Sequence, residues 1–263
     1  MLTDSHAHLD FPEFDSDRAM LVQQMQQVGV RDVLLPGVAP EYWPRQITLA
    51  GSYRWRYALG IHPWYCPDNI PEAIARLAQQ VATAKHDPLW VGIGECGLDK
   101  PIAQLPDGHA RKVSWQRQIA LLTPQLALAQ GMQRPLILHA VRCHEPMQQL
   151  LGQHPGCYGV IHGFSGSYEV AINYWRMGFR LGIGGLLLNS RAKKLRHAVM
   201  QLPAEALLVE TDAPAMAPAE RANTRNTPLL LPEVVAEMAR LRNQGNVQLS
   251  EQLQHNFHQL FEP

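Results

Sequence analysis

Six side chains able to bind a divalent metal are spread over some 200 residues, and each stands at or near the end of a short apolar run. They are His6 and His8 in TDSHAHLD, Glu95 after WVGIG, His139 after PLIL, His162 after GVI, and Asp212 after ALLVET. Imidazole nitrogen and carboxylate oxygen suit zinc, manganese, magnesium, nickel or iron, and six donors are enough for two ions if one carboxylate is shared. Glu95, on the fourth run, is the natural bridge. The expected arrangement is His6, His8, Glu95 and Asp212 around one ion, with Glu95, His139 and His162 around the other. Paired cations lower the pKa of a bridging water and polarise the bond under attack. Asp212, at the end of the last run, is placed to take the proton from that water as general base. A lone HxH pair or a lone strand-end acid says little, but six donors following apolar runs in chain order say much more.

The elements that must position these groups are eight β-rich runs, beginning near Leu2, Asp32, Tyr57, Trp90, Pro135, Gly159, Phe179 and Ala206. Side chains alternate faces along a strand, so His6 and His8 are expected to point the same way. Helix-prone stretches lie between the runs, for example 16–28, 71–85, 109–130, 145–151, 168–177 and 191–201. Strands alternating with helices indicate parallel βαβ units. Runs such as VLLPG, PLILH and LLVE carry too little polarity for a sheet with one wet face. The expected fold class is therefore α/β, a slightly distorted single-domain (β/α)8 TIM barrel over 1–263, with its metal site at the carboxyl ends of the strands. Pro124 should kink or split the fourth helical stretch. A closing helix is expected from Ser250, as cap, to Phe261. The stretch from Ala213 to Pro228, with Arg221 and Arg225, reads as a long loop on the active face.

Lys plus Arg and Asp plus Glu number 23 each, so no global field draws in a polyanion, and nucleic-acid contact must come from a local patch. The four cysteines form no CxxC pair, which argues against a zinc knuckle or a disulfide framework. With no leader-like segment and no run of membrane-spanning length, the expectation is a cytoplasmic protein with no membrane association and no obligate protein partner.

The motifs SHAHLD, GIHP, GECGLD, ILHAVR, IHGFSGS, VETDAP and NFHQLF follow one another along the chain. In this the sequence resembles the TatD family of metal-dependent deoxyribonucleases and related hydrolases, within the amidohydrolase-like barrels. HGFSGS and GIGG look most like its YjjV subgroup. The resemblance implies the same fold, two divalent metals, the same six ligands, and a place for His62 of GIHP in the substrate pocket. Departures from the family pattern fall in loops expected on the active face. Lys100 and Pro101 follow GLD where an aromatic residue is common, Val141 and Arg142 stand where an arginine is usual two places after His139, and Thr227 replaces a glutamate in RNTP.

Asp99, Arg142 and Arg191 join His62 as expected substrate contacts, Asp99 being equally suited to orienting a ligand or capping a loop. In NSRAKKLR, Asn189 or Ser190 is expected to cap a helix whose first turn carries Arg191, Lys193, Lys194 and Arg196, an arrangement that favours anions. Asp4 and Asp10 flank the histidine pair and suit a supporting role behind the metal ligands. Trp64, after His62 and Pro63, is a candidate platform for a base. The reading that follows is a metal-dependent hydrolase of ester bonds, with DNA or a small phosphorylated compound as substrate. The rival readings are an amidohydrolase acting on a small amide, lactone or imino compound, and a non-catalytic metal-binding module.

Overall fold

The computed structural model describes residues 1–221 and 223–262. Eight strands occur in chain order and alternate with helices. They are β1 (Leu2–Asp4), β2 (Val30–Leu35), β3 (Arg56–Leu59), β4 (Trp90–Asp99), β5 (Leu136–Val141), β6 (Gly159–Ile161), β7 (Phe179–Ile183) and β8 (Leu207–Val209). The helices are α1 (Arg18–Gln27), α2 (Trp43–Tyr53), α3 (Ile70–Ala84), α4 (Lys100–Ala103), α5 (Trp115–Met132), α6 (His144–Gly152), α7 (Tyr168–Arg176), α8 (Lys193–Gln201), α9 (Leu231–Arg242) and α10 (Asn246–Phe261). This is the (β/α)8 architecture expected from the sequence.

Contacts gather the chain into two compact units, residues 1–35 with 162–263, and residues 36–161. In the first, β7 pairs with β8 and β1 with β2, all parallel, while Ser5 N donates to Val209 O at 3.0 Å to join β8 to the β1 end. In the second, β3, β4, β5 and β6 pair in that order, also parallel. The strands are buried on both faces, as their apolar sequences require. Helices of the second unit cover the sheet by regular spacing: α3 buries Ala73, Leu77, Val81 and Ala84, and Asn69 caps it by accepting from Glu72 N.

Several expectations are corrected. Helix α5 runs through Pro124 without interruption. The proline forfeits one backbone bond, and a buried stripe of Leu121, Leu122, Leu126 and Ala129 holds the turns on either side. Helix α10 begins at Asn246, four residues before the expected cap, and the Ser250 hydroxyl instead bonds back to Asn246 O at 2.7 Å. Helix α8 begins at Lys193 after Ala192, with no side-chain cap; Asn189 Oδ1 accepts from Arg191 N in a tight turn ahead of it. The expected loop 213–228 includes residue 222, which lies outside the described residues. Its arginines are engaged within the first unit, Arg221 with Glu233, and Arg225 with Asp17 while its guanidinium lies 4.5 Å over the Phe14 ring.

Candidate metal centre

His6 and His8 were expected inside a strand, but β1 stops at Asp4 and both lie in the segment that follows. Backbone bonds to flanking strand ends hold that segment: Ala7 N to Leu34 O at 3.1 Å, His8 N to Ala213 O at 2.7 Å, and Asp212 N to His6 O at 2.8 Å. The two rings still converge, 5.1 Å apart edge to face. Asp212 Oδ1 lies 3.5 Å from His6 Nε2 and 3.6 Å from His8 Nε2. Asp212 sits in the left-handed region at φ 56°, sparsely occupied by residues other than glycine, where the chain turns sharply behind β8. One donor atom from each of His6, His8 and Asp212 lies within 4.8 Å of the others. His162, directly after β6, stacks on His6 with ring centroids 3.9 Å apart.

Behind this cluster stand two buried acids. Asp4 Oδ1 accepts from His6 N and Thr211 N, both at 3.1 Å, and its Oδ2 accepts from the Thr211 hydroxyl at 2.5 Å. Burial pushes the Asp4 carboxyl up to about 7 against these donors. It supports His6 through the backbone, not through the ring. The sequence reading overlooked Glu210. Its Oε1 accepts from Gly163 N and lies 3.8 Å from His162 Nδ1, and burial raises its carboxyl to about 8. A Cβ on Gly182 would fall 2.0 Å from Glu210 Oε2, so that glycine makes the room for the acid. Glu210 and Asp212 are two apart in ALLVETD, and alternation from the last strand was the signal that would have found it.

The second unit carries its own cluster. Strand β4 runs to Asp99, five residues beyond the expected apolar run, and its register with β5 slips between Gly94 and Cys96, so Glu95 sits on a bulge. Bulges re-aim side chains next to active sites. Glu95 Oε1 lies 3.1 Å from His139 Nδ1 and 3.2 Å from His62 Nε2. His62, expected only as a substrate contact, is buried and completes the group: donor atoms of His62, Glu95 and His139 all lie within 4.8 Å of one another. His62 Nδ1 accepts from Trp64 N at 3.1 Å, which leaves Nε2 to face Glu95.

Asp99 is buried, and its contacts are those of an orienting and capping residue, not of a substrate contact. Its Oδ2 accepts from His139 Nε2 at 3.1 Å and Trp64 Nε1 at 2.8 Å, and its Oδ1 accepts from Ile102 N at 3.1 Å. Burial works to raise the Asp99 carboxyl, but the bonds from His139 and Trp64 bring it below its ordinary value. Burial likewise works to lower His139, yet its bonds to Asp99 and Glu95 carry the imidazole up to about 9. This carboxylate–imidazole–carboxylate line leaves Nδ1 directed at Glu95 once the ring gives up a proton, the usual orientation of a metal-binding histidine.

Two buried glutamines of α5, which the sequence reading passed over, hold the segments that carry these groups. Gln125 brackets Ile61, accepting from its N–H at 2.8 Å and donating to its carbonyl at 3.0 Å, and so fixes the approach to His62. Gln118, seven residues earlier on the same face, does the same for Asp99 at 2.7 and 3.0 Å.

Of the remaining expected contacts, Arg142 and Arg191 are exposed. Arg196 is withdrawn from any anion site, because it donates to Leu187 O at 2.7 Å and pairs with Glu237 at 2.5 Å.

The donor set fits a divalent cation. In each unit two imidazoles and one carboxylate converge in a largely buried place, where an uncompensated carboxylate would be costly and a cation supplies the missing charge.

The profile of the family described as TatD related DNase matches residues 3–262. The chain is 33% identical over 260 residues to the uncharacterized metal-dependent hydrolase YjjV of Escherichia coli K12, covering 98% of this chain and 96% of that protein. It is 31% identical over 274 residues to the 3'-5' ssDNA/RNA exonuclease TatD of Pantoea ananatis, covering 98% of each. The crystal structure of YjjV from Escherichia coli matches with a TM-score of 0.90 at 32% identity, over 100% of this chain and 98% of that one.

Proposed function

Because the chain belongs to the TatD-related DNase family, we propose that this metal-dependent hydrolase cleaves phosphodiester bonds, with single-stranded DNA as its substrate class. The observation that carries this reading is Trp64. Its indole N–H is fastened to Asp99 beside the cluster of His62, Glu95 and His139, while the residue remains 52% exposed. An anchored, exposed ring next to a metal-competent cluster is a platform for a nucleobase, and base–aromatic stacking contributes about 1–3 kcal/mol.

In this reading His6, His8 and Asp212 hold one divalent ion, and Glu95 with His139 the other. When bound, such ions would lower the pKa of a water and polarise the phosphoryl oxygens. Asp212 would accept the proton released on attack: its carboxylate faces two histidines and keeps 15% of its side-chain surface exposed. His62 presents Nε2 toward Glu95 and would donate to a phosphoryl oxygen brought there. Arg142, exposed at the end of β5, and the exposed Arg191 would each offset negative charge on the substrate. Among the described residues, no helix is long and apolar enough to cross a membrane.

The test is a parallel assay of manganese-loaded protein on an oligothymidylate, a small phosphodiester, and a panel of lactones and amides, with Asp212→Asn as control. Turnover of the phosphodiesters, abolished by Asp212→Asn and by a chelator, is expected. Turnover of carbon-centred substrates alone, abolished by the same variant, would overturn the proposal in favour of an amidohydrolase.

A further inference from the structure

Beyond the cluster of His62, Glu95 and His139 the second unit has a groove lined by Lys100, Ala103, Gln104, Trp115 and Pro146, with about 360 Å³ of free space. That volume lies within the range of pockets that take small organic groups, roughly 300–1,000 Å³. The lining combines an indole, aliphatic carbons and one ammonium, a set suited to a flat heteroaromatic ring bearing a negative charge.

The groove is coupled to the cluster by one side chain. Asp99 holds His139 and Trp64 with one oxygen, and with the other it caps the single turn of α4 that carries Lys100 and Ala103. Asp99 and Val141 are register partners across β4 and β5, so Lys100 and Arg142 leave two paired strands at the same level. Arg142 is exposed, with φ 53° at the turn into α6, and Pro146 of that helix lines the groove. One cation, Lys100, thus lines the groove with Trp115, and a second, Arg142, leaves the paired strand at the same level.

We propose that this groove is a second nucleotide subsite, with the neighbouring base of a single-stranded DNA substrate against Trp115 and its phosphate between Lys100 and Arg142. The inference rests on the phosphodiesterase reading for the identity of its occupant. It adds a preference: a strand of several nucleotides outcompetes a small diester because it fills a site the small molecule does not reach.

The experiment compares wild type, Trp115→Ala, Trp115→Phe and the double variant Lys100→Glu/Arg142→Glu, all manganese-loaded, on hexathymidylate and on bis(p-nitrophenyl) phosphate. The ratio of kcat/KM between the two substrates is expected to fall about tenfold in Trp115→Ala and in the charge-reversed variant, mostly through KM for the oligonucleotide, and to be largely retained in Trp115→Phe. An unchanged ratio in both, or an equal loss on both substrates, would overturn the subsite. Should wild type cleave neither phosphodiester, the reading of function fails by itself. The subsite is then judged by fluorescence anisotropy of labelled hexathymidylate: weaker binding by both variants supports it, and affinity equal to wild type refutes it. Lys100 and Arg142 are exposed, so the charge variant keeps the test decisive if loss of the partly buried Trp115 ring impairs folding.

Discussion

Replacing Asp99 with asparagine separates the orientation of His139 from its presence. The carboxylate serves three donors, at 3.1 Å from His139, 2.8 Å from Trp64 and 3.1 Å from Ile102 N. Asparagine offers one acceptor oxygen and turns an N–H toward at least one of these donors, so at least one charge-assisted bond is lost in a site only 2% exposed. A hydrogen bond to a charged group is worth about 1.5–3 kcal/mol, and loss of a carboxylate behind a metal-binding histidine costs roughly 10–100-fold in affinity. Both routes converge on about 2 kcal/mol, or roughly 30-fold, at the ion held by His139. The assay is calorimetric titration of chelator-treated protein with manganese. One binding step is expected to weaken by about 30-fold, while the step assigned to His6, His8 and Asp212 changes little. Two steps that both match wild type within a factor of two would refute the orienting role of Asp99.

Other predictions follow the same geometry. Gly97 has φ 154° and a Cβ there would lie 2.0 Å from His139 O, so Gly97→Ala is expected to displace β5, lower the melting temperature and impair metal binding at His139. Gly131→Ala, in α5 with open space around it, is expected to stabilise by about 0.5–1 kcal/mol in denaturant unfolding. Metal-free protein is expected to lose stability as pH rises. Burial holds Glu210 at about 8, above its ordinary 4.5, so its contribution is fully present below 4.5 and lost as pH passes 8. His139, raised from 6.5 to about 9, contributes fully below 6.5 and loses that contribution by about 9. Unfolding of chelated protein between pH 5 and 9 checks this; Glu210→Gln should flatten the curve, and stability rising toward pH 9 would contradict it.

The alternation of apolar runs and helical stretches was enough to read the eight strands, each starting within two residues of its expected position, because double-sided burial leaves an unmistakable apolar signature. Of the six expected metal ligands, His6, His8, His162 and Asp212 follow strands, whereas Glu95 and His139 lie within β4 and β5. What escaped the reading was whatever depends on polar residues turned inward. Gln118 and Gln125 look like surface residues of a helix, yet they face the interior because the end of β4 and the segment at Ile61 need their backbone groups satisfied. Glu210 was masked by its neighbour Asp212. His6 and His8 converge through loop contacts to Val209, Leu34 and Ala213, not through strand alternation, so the right outcome came from the wrong local geometry. Ser250 and Asn189 failed as caps because side-chain preference names a candidate position, while packing decides where the helix starts.

The account depends on divalent ions held by these residues, with Glu95 among the ligands. Metal content of chelator-treated and reconstituted protein, counted by elemental analysis for wild type and Glu95→Gln, tests it most directly. Two ions per chain in wild type, with fewer in the variant, is the predicted result. Fewer than two in wild type, or a variant that keeps both ions, would contradict it.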